Sequence, residues 1–185
     1  MRIMKIRVWI CILLLFFSVA GMTGAYGAAE QYFGSPVKAV FRPYLGAGVT
    51  AAGLPGAECR FAMRSGVQVL CTSGATRLFF GAGLDAGFMR FGRNSNKASL
   101  DAGYVLAVGE MSVPGFLFQA GFGYWFDMSA GAGAWPGILC AGGLVIPITD
   151  RMHMPLIIRA DFVFAEDTRI PLSFGAGLSW YLTSN

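Results

Sequence analysis

The stretch of sequence that decides the fold is Arg169-Ile-Pro-Leu-Ser-Phe-Gly-Ala-Gly-Leu-Ser-Trp-Tyr-Leu182. Every second residue of this stretch is apolar, and the residues between them are mostly small or polar: Ile170, Leu172, Phe174, Ala176, Leu178, Trp180 and Leu182 against Pro171, Ser173, Gly175, Gly177, Ser179 and Tyr181. Side chains alternate between the two faces of a strand, whereas a helix repeats every 3.6 residues. The stretch therefore predicts a β-strand with one apolar face.

Seven earlier segments are also predicted to be strands. They cover positions 41–52, 60–71, 77–91, 99–111, 116–127, 138–148 and 156–165, and only the sixth is apolar on both faces. Turn-forming residues separate them, and longer connections alternate with shorter ones, which is typical of up-and-down strands. Near copies of one pattern, at Leu45–Val49, Phe80–Leu84 and Phe174–Leu178, support a repeated hairpin. The sequence therefore predicts eight antiparallel strands.

The composition places these strands in a membrane. Of the 185 residues 55% are hydrophobic and only 13% are charged, about half the roughly 25% of an average globular chain. Beyond the first 27 positions, no apolar run reaches the roughly 18–20 residues of a transmembrane helix. Only helices and closed barrels satisfy the backbone polar groups within lipid. The predicted fold is therefore all-β, an antiparallel up-and-down eight-stranded transmembrane β-barrel.

The first residues are typical of a secretory signal peptide. Arg2, Lys5 and Arg7 precede the apolar segment Val8–Ala20, and Ala25-Tyr-Gly27 offers a cleavage site. We expect a signal peptide over 1–27 and a barrel domain over 28–185, with an uncleaved anchor as the alternative. Without those three cations, the 14 basic residues become 11 against 10 acidic ones. The net charge therefore indicates no nucleic-acid partner.

Most charges of the predicted strands fall on their sparse faces, and the opposite faces carry almost none. These residues are Arg42, Arg60, Arg64, Asp85, Asp101, Arg159 and Asp161. A barrel with its apolar faces outward would enclose them, and eight strands leave an interior just wide enough for side chains. We therefore predict a polar, ion-paired lumen. Cys59, Cys71 and Cys140 have no metal-type spacing, so no metal or cofactor is expected, while a Cys59–Cys71 disulfide stays open.

Four residues of the last stretch carry a family resemblance. Ser173, Gly175, Leu178 and Trp180 resemble the C-terminal assembly signal of bacterial outer-membrane barrels, although the chain continues past Trp180 instead of ending on an aromatic residue. With the other features, the chain is similar to the small eight-stranded outer-membrane proteins (the OmpA/OmpX/OmpW-like group). The resemblance implies a monomer in the outer membrane, with membrane lipid, the barrel assembly machinery and periplasmic chaperones as partners.

Three classes of function follow from this interpretation. The first is a structural or surface-interaction protein, and the second is a narrow porin-like channel or carrier for small or hydrophobic solutes. The third is a lipid-modifying enzyme, which would need His153, expected in the turn between the sixth and seventh strands. We do not expect an enzyme. A basic surface loop with Arg90, Arg93 and Lys97 is expected to meet solvent, anionic lipid head groups or a polyanion.

Overall fold

The computed structural model describes residues 38–52, 60–75, 78–91, 100–128, 133–164 and 169–182. The strands in these ranges are β1 (Lys38–Ala52), β2 (Arg60–Ala75), β3 (Leu78–Phe91), β4 (Leu100–Val113), β5 (Phe116–Asp127), β6 (Ala134–Thr149), β7 (Met152–Val163), β8 (Arg169–Gly177) and β9 (Ser179–Leu182). The expected signal peptide, Cys59, Arg93 and Lys97 lie outside the described residues. No helix within those residues is long and apolar enough to cross a membrane.

The strands form one antiparallel sheet that closes on itself. From β1 to β8 each strand pairs with the next along the chain, and β1 pairs with β2 on one side and with β8 and β9 on the other. β8 and β9 are two parts of one barrel strand, because Tyr44 opposite Gly177 and Phe41 opposite Trp180 belong to the same register. The predicted up-and-down barrel of eight strands is therefore confirmed, including the sixth segment, which is β6.

The register fixes the width and tilt of the barrel. Successive partners lead from Ala39 through Cys71, Ala82, Gly109, Ala120, Cys140, Ala160 and Leu172 back to β1 at Val49. The stagger from position 39 to position 49 is ten residues. With a rise of about 3.3 Å per residue and strands about 4.8 Å apart, it tilts the strands by about 40° from the barrel axis. The interior is therefore narrow enough for side chains to fill.

The two ends of the barrel differ in their connections. At one end, which we call the turn side, positions 114–115 join β4 to β5 and positions 150–151 join β6 to β7. Gly115 has a φ of 85°, a conformation that glycine adopts without steric cost. The opposite end, which we call the loop side, carries longer segments such as 53–59 and 92–99. The predicted alternation of short and longer connections is therefore confirmed.

Burial is inverted relative to a soluble barrel. Large apolar side chains cover the outside, where Leu45 is 70% and Phe122 is 69% exposed. Asp85 and Asp161 are fully buried, at 0%. The outward rows of β5 and β8 include Phe116, Phe118, Phe122, Tyr124, Phe126, Leu172 and Phe174. The prediction that the apolar faces point outward holds for these strands.

On β4 the predicted orientation is wrong. Ala102, Tyr104, Leu106, Val108 and Glu110 are buried inside the barrel, and Asp101, at the loop-side end of the strand, lies on the exterior. The reason is steric. The inward faces of β2 and β3 carry glycines that leave space, and the bulky face of β4 fills it. A strand's own alternation separates its two faces but does not say which of them is inside.

Candidate functional site: the polar lumen

The turn-side half of the lumen is organised around one buried ion pair. Arg42 on β1 donates to Glu110 on β4 through Nη1 at 2.5 Å and Nη2 at 3.2 Å. Its other donors reach Gln68 Oε1 at 3.0 Å and Ser179 Oγ at 2.7 Å. Gln119 Nε2 donates to Glu110 at 2.7 Å. These five residues, which we call the turn-side cluster, satisfy the buried charges with hydrogen bonds, as burial of an ion pair requires.

The middle of the lumen holds a second set of ion pairs. Arg159 donates to Asp161 from Nη2 at 2.8 Å and also pairs with Asp85, while Arg64 pairs with Asp161. Tyr44 donates from its hydroxyl to Asp85 Oδ1 at 2.6 Å. We call these five residues the central cluster. Gln68 Nε2 lies 3.4 Å from Asp85 Oδ2 and connects the central cluster to the turn-side cluster.

The two clusters balance in charge. Within these two clusters, Arg42, Arg64 and Arg159 face Asp85, Glu110 and Asp161. Each cation contacts at least one carboxylate, so no whole charge is left uncompensated. Such an arrangement limits the desolvation cost of burial and leaves little field to attract a free ion. Five of the predicted lumen residues, Arg42, Arg64, Asp85, Arg159 and Asp161, take part in these ion pairs.

Tyr104 packs over a gap made by glycines. Gly66, Gly87 and Tyr104 are register partners on neighbouring strands, and a Cβ at Gly66 or Gly87 would lie 2.7 or 2.4 Å from the Tyr104 hydroxyl oxygen. The hydroxyl groups of Tyr44 and Tyr104 are hydrogen-bonded to each other. The two glycines therefore leave the space in which Tyr104 reaches Tyr44, a member of the central cluster.

Arg64 is held by rings as well as by its carboxylate. Its Nε and Nη1 have no hydrogen-bond partner among the described residues. The guanidinium carbon lies 5.3 Å from the ring centre of Tyr104 and 5.5 Å from that of Trp125. Cation–π attraction over these rings offsets part of the missing hydrogen bonding. Arg159 lies 5.1 Å from the ring centre of Tyr104 in the same way.

Apolar side chains close the lumen toward the loop side. Tyr104 and Trp125, with ring centres 4.5 Å apart, pack in one cluster with Met89, Ala102 and Val163. A cavity of about 20 Å³ remains beside the central cluster, lined in part by Arg64, Arg159 and Ser173, with room for about one water molecule. Side chains therefore fill the part of the lumen that the described strands enclose.

His153 lies in the lumen and not in a turn. It is the second residue of β7, its register partner is Ser179, and its ring contacts that of Tyr181 with ring centres 4.9 Å apart. The predicted turn ends earlier, at Arg151. Ser179 is 1% exposed, and its hydroxyl accepts a hydrogen bond from Arg42. A buried serine engaged in this way has no access to a substrate.

Among the described residues, one ion pair lies outside the lumen, at the loop side. Arg90 is the penultimate residue of β3, not a loop residue, and it donates to Asp101 from Nε at 2.9 Å and from Nη2 at 3.0 Å. Its hydrogen bond lowers the pKa of the Asp101 carboxyl group, and the same bond raises the pKa of Arg90. The side chain of Arg60 is outside the described residues, so its predicted place in the lumen stays a prediction.

The predicted assembly-signal residues lie at the seam between the last strand and β1. Ser173 is buried in the lumen, Gly175 is opposite Gly46, and Trp180 lies on the exterior, 49% exposed. Leu178 interrupts the strand and donates its N–H to the Pro43 carbonyl at 3.0 Å. Their role in assembly stays a prediction.

Sequence reasoning missed several members of the two clusters. Glu110 was not among the predicted lumen charges, and the contributions of Tyr44, Gln119 and Ser179 were not recognised. One signal was available for Glu110. Asp101 and Glu110 are nine residues apart on one strand, an odd separation that puts them on opposite faces. Only one of these two carboxylates could face the lumen.

Metal binding and disulfide bonding find no support in the described residues. They contain no group of three or more His, Cys, Asp or Glu side chains that could hold a metal ion. Cys71 and Cys140 are free thiols. Cys59 lies outside the described residues. Its pairing with Cys71 was left open by the sequence, and in the structure Cys71 is not in a disulfide.

Comparisons with known proteins return likenesses of architecture only. No protein-family model and no curated protein matches the chain. Among solved structures, it is similar to Neisserial surface protein A (NspA), with a TM-score of 0.44 and 12% identity over 76% of this chain and 96% of that one. It is also similar to a de novo designed transmembrane β-barrel, with a TM-score of 0.40 and 12% identity over 77% of this chain and 95% of that one.

Proposed function

We propose that this chain is an integral outer-membrane β-barrel whose closed, ion-paired lumen makes it a structural or surface-interaction protein. The observation that carries the proposal is the inverted burial. Leu45 and Phe122 are about 70% exposed, whereas the charges of the turn-side and central clusters are enclosed. A water-soluble protein rarely exposes so large a continuous apolar surface. In lipid, the same surface is the expected exterior of a barrel.

The filled lumen favours a non-conducting protein. The turn-side cluster, the central cluster and the Tyr104–Trp125 packing follow one another along the axis, and the internal cavity of about 20 Å³ holds about one water. A continuous path for solutes would require several ion pairs to separate. A narrow channel or carrier is the competing function, because the turn-side and central clusters are connected through Gln68 and could rearrange together.

An enzymatic role has less support than either. The candidate base His153 contacts Tyr181, and the nearest serine in register is buried and bonded to Arg42. We therefore propose no catalytic function. Export by a cleaved signal peptide, assistance by periplasmic chaperones and the barrel assembly machinery, and a monomeric state belong to the same proposal.

The decisive experiment compares two arginine substitutions on the exterior. Phe122 lies near the middle of β5, and Met128, 56% exposed, lies just beyond the end of that strand. Arginine at the lipid-facing midplane of a barrel costs about 2–4 kcal/mol and near the interface about 0–1 kcal/mol. We expect Phe122→Arg to impair folding into phospholipid vesicles strongly, and Met128→Arg to fold almost as the unsubstituted chain does.

Folding is read from electrophoretic mobility with and without boiling. A folded membrane barrel migrates differently before and after boiling, and we expect this shift for the unsubstituted chain and for Met128→Arg. The membrane assignment fails if the chain is soluble without detergent and both substitutions leave it equally folded. Recordings from planar bilayers then separate the two functions. Electrically silent barrels support the structural role, and a reproducible unit conductance supports the channel.

A further inference from the structure

The outer wall of the barrel contains a shallow groove over the seam between its last and first strands. It has a volume of about 730 Å³ and is lined in part by Leu45, Ser65, Ala86, Phe88, Ala176 and Leu178. Ser65 and Ala86 are small and form its floor, and Leu45 and Phe88, the register partners of Ser65 on the two neighbouring strands, rise on either side of it. The outer face of β5, by comparison, carries the large side chains Phe116, Phe118 and Phe122.

A cation stands at the loop-side end of the groove. Ala86, Phe88 and Arg90 follow one another on the outer face of β3, and the Arg90 guanidinium carbon lies 5.9 Å from the ring centre of Phe88. The Arg90 side chain is 59% exposed. Arg90 donates from Nε and Nη2 to the Asp101 carboxylate. These two bonds fix the guanidinium and leave Nη1 without a partner among the described residues. The arrangement is a positioned donor above an apolar groove.

We propose that this groove binds one acyl chain of lipid A and that Arg90 donates to a phosphate of its head group. The inference rests on the proposed function, because the loop side of an outer-membrane barrel faces the outer leaflet. Lipid A is the phosphorylated, multiply acylated lipid of that leaflet. Its acyl chain matches the apolar floor, and its phosphate matches the exposed guanidinium edge, since arginine forms charge-assisted hydrogen bonds with phosphate oxygens.

A second copy of the chain fits this surface less well. Apolar surfaces gain little from association inside lipid, so proteins there associate through close packing. A second barrel is convex, and it would touch Leu45 and Phe88 before it reached Ser65, which lies between them on the floor. A flexible acyl chain reaches the floor without that obstruction. Small side chains on the floor and a donor at its end therefore favour a lipid over a second barrel.

The test is native mass spectrometry of the full chain folded in detergent micelles and titrated with lipid A. Phosphatidylglycerol and phosphatidylcholine of similar chain length are titrated in parallel. We expect one retained lipid A, with weaker retention of both glycerophospholipids. Ala86→Leu fills the floor and should abolish retention. Arg90→Gln should weaken it about fivefold, the effect of one arginine near an anionic lipid surface.

A matched substitution on the opposite wall serves as the control. Ala120 lies on the outer face of β5 between Phe118 and Phe122, and Ala120→Leu should retain lipid A as the unsubstituted chain does. Each variant is first shown to be folded by its mobility shift on boiling, and Ser65→Leu replaces Ala86→Leu if the latter does not fold. The proposal is overturned if folded Ala86→Leu or Ser65→Leu keeps lipid A, if phosphatidylglycerol binds equally well, or if these substitutions abolish a dimer instead. A chain that shows no mobility shift at all contradicts the membrane assignment and not this groove.

Discussion

Glu110 offers the sharpest test of the ion-paired lumen. Its carboxylate is 2.5 Å from Arg42 Nη1, which places the two charge centres about 4 Å apart. At an effective dielectric constant of about 20, charges at that distance attract by about 4 kcal/mol. Glu110→Gln keeps the size of the side chain but leaves Arg42 without its counter-charge. Breaking a buried pair in this way costs about 3–5 kcal/mol.

The assay is equilibrium unfolding by urea of the chain folded in lipid vesicles, followed by tryptophan fluorescence. With a slope of about 2 kcal/mol per M urea, a loss of about 3–5 kcal/mol lowers the unfolding midpoint by about 1.5–2.5 M. Asp101→Asn is the matched control, because it removes a carboxylate from the same strand and from a pair with another arginine, but on the exposed face. We expect Asp101→Asn to leave the midpoint almost unchanged.

A double substitution separates charge from packing. Arg42→Gln combined with Glu110→Gln removes both charges, so we expect the double variant to unfold at a higher urea concentration than Glu110→Gln alone. The reasoning is refuted if the double variant is no more stable than the single one. It is also refuted if Glu110→Gln and Asp101→Asn lower the midpoint equally, since burial would then have no influence.

Three further predictions concern glycines, acid and thiols. Gly87→Ala places a Cβ 2.4 Å from the Tyr104 hydroxyl and should cost about 1–3 kcal/mol in urea unfolding, whereas Gly109→Ala, whose nearest neighbour is 3.8 Å away, should cost much less. Because Arg90 lowers the pKa of Asp101, the folded state gains stability from this group above its unfolded pKa and loses it as the pH falls through the folded value. Stability should therefore fall slightly more steeply below about pH 4 in the unsubstituted chain than in Asp101→Asn; equal slopes would contradict the pairing. Cys140 is exposed on the outer face of β6, which we expect to face lipid. In a chain whose other cysteines are replaced by serine and which is folded in vesicles, Cys140 should therefore resist a water-soluble maleimide and react only after unfolding. Rapid labelling of the folded form would place Cys140 in water.

Much of the architecture follows from local pattern. The alternation between Ile170 and Leu182 predicts the last barrel strand, and similar alternation predicts six of the other seven within a few residues of their ends, whereas the sixth segment is apolar on both faces. The apolar surplus on one face and the charges on the other predict which faces meet lipid and lumen. These features depend on neighbours along the chain, so a single sequence contains them.

The orientation of β4 depends on residues far away in the chain. Tyr104 points inward because Gly66 and Gly87, on two other strands, leave the space that its ring occupies. Asp101 then has to face outward, and Glu110 inward. The identity of the ion pairs is non-local in the same way, because it depends on the ten-residue stagger that brings β1 opposite β4 across the lumen. Pattern within one strand contains no information about either.

The ion pairs also connect parts of the chain that are distant in sequence. Arg42 and Glu110 are 68 residues apart, Arg159 and Asp85 are 74 apart, and Arg64 and Asp161 are 97 apart. None of these pairs forms within a single hairpin, so each of them needs the ring of strands to be nearly complete. An unfinished sheet inserted in lipid carries unpaired charges, and its free energy is raised accordingly. We therefore expect closure to be the slow step of folding, and we expect its slow reversal to give the finished barrel kinetic as well as equilibrium stability.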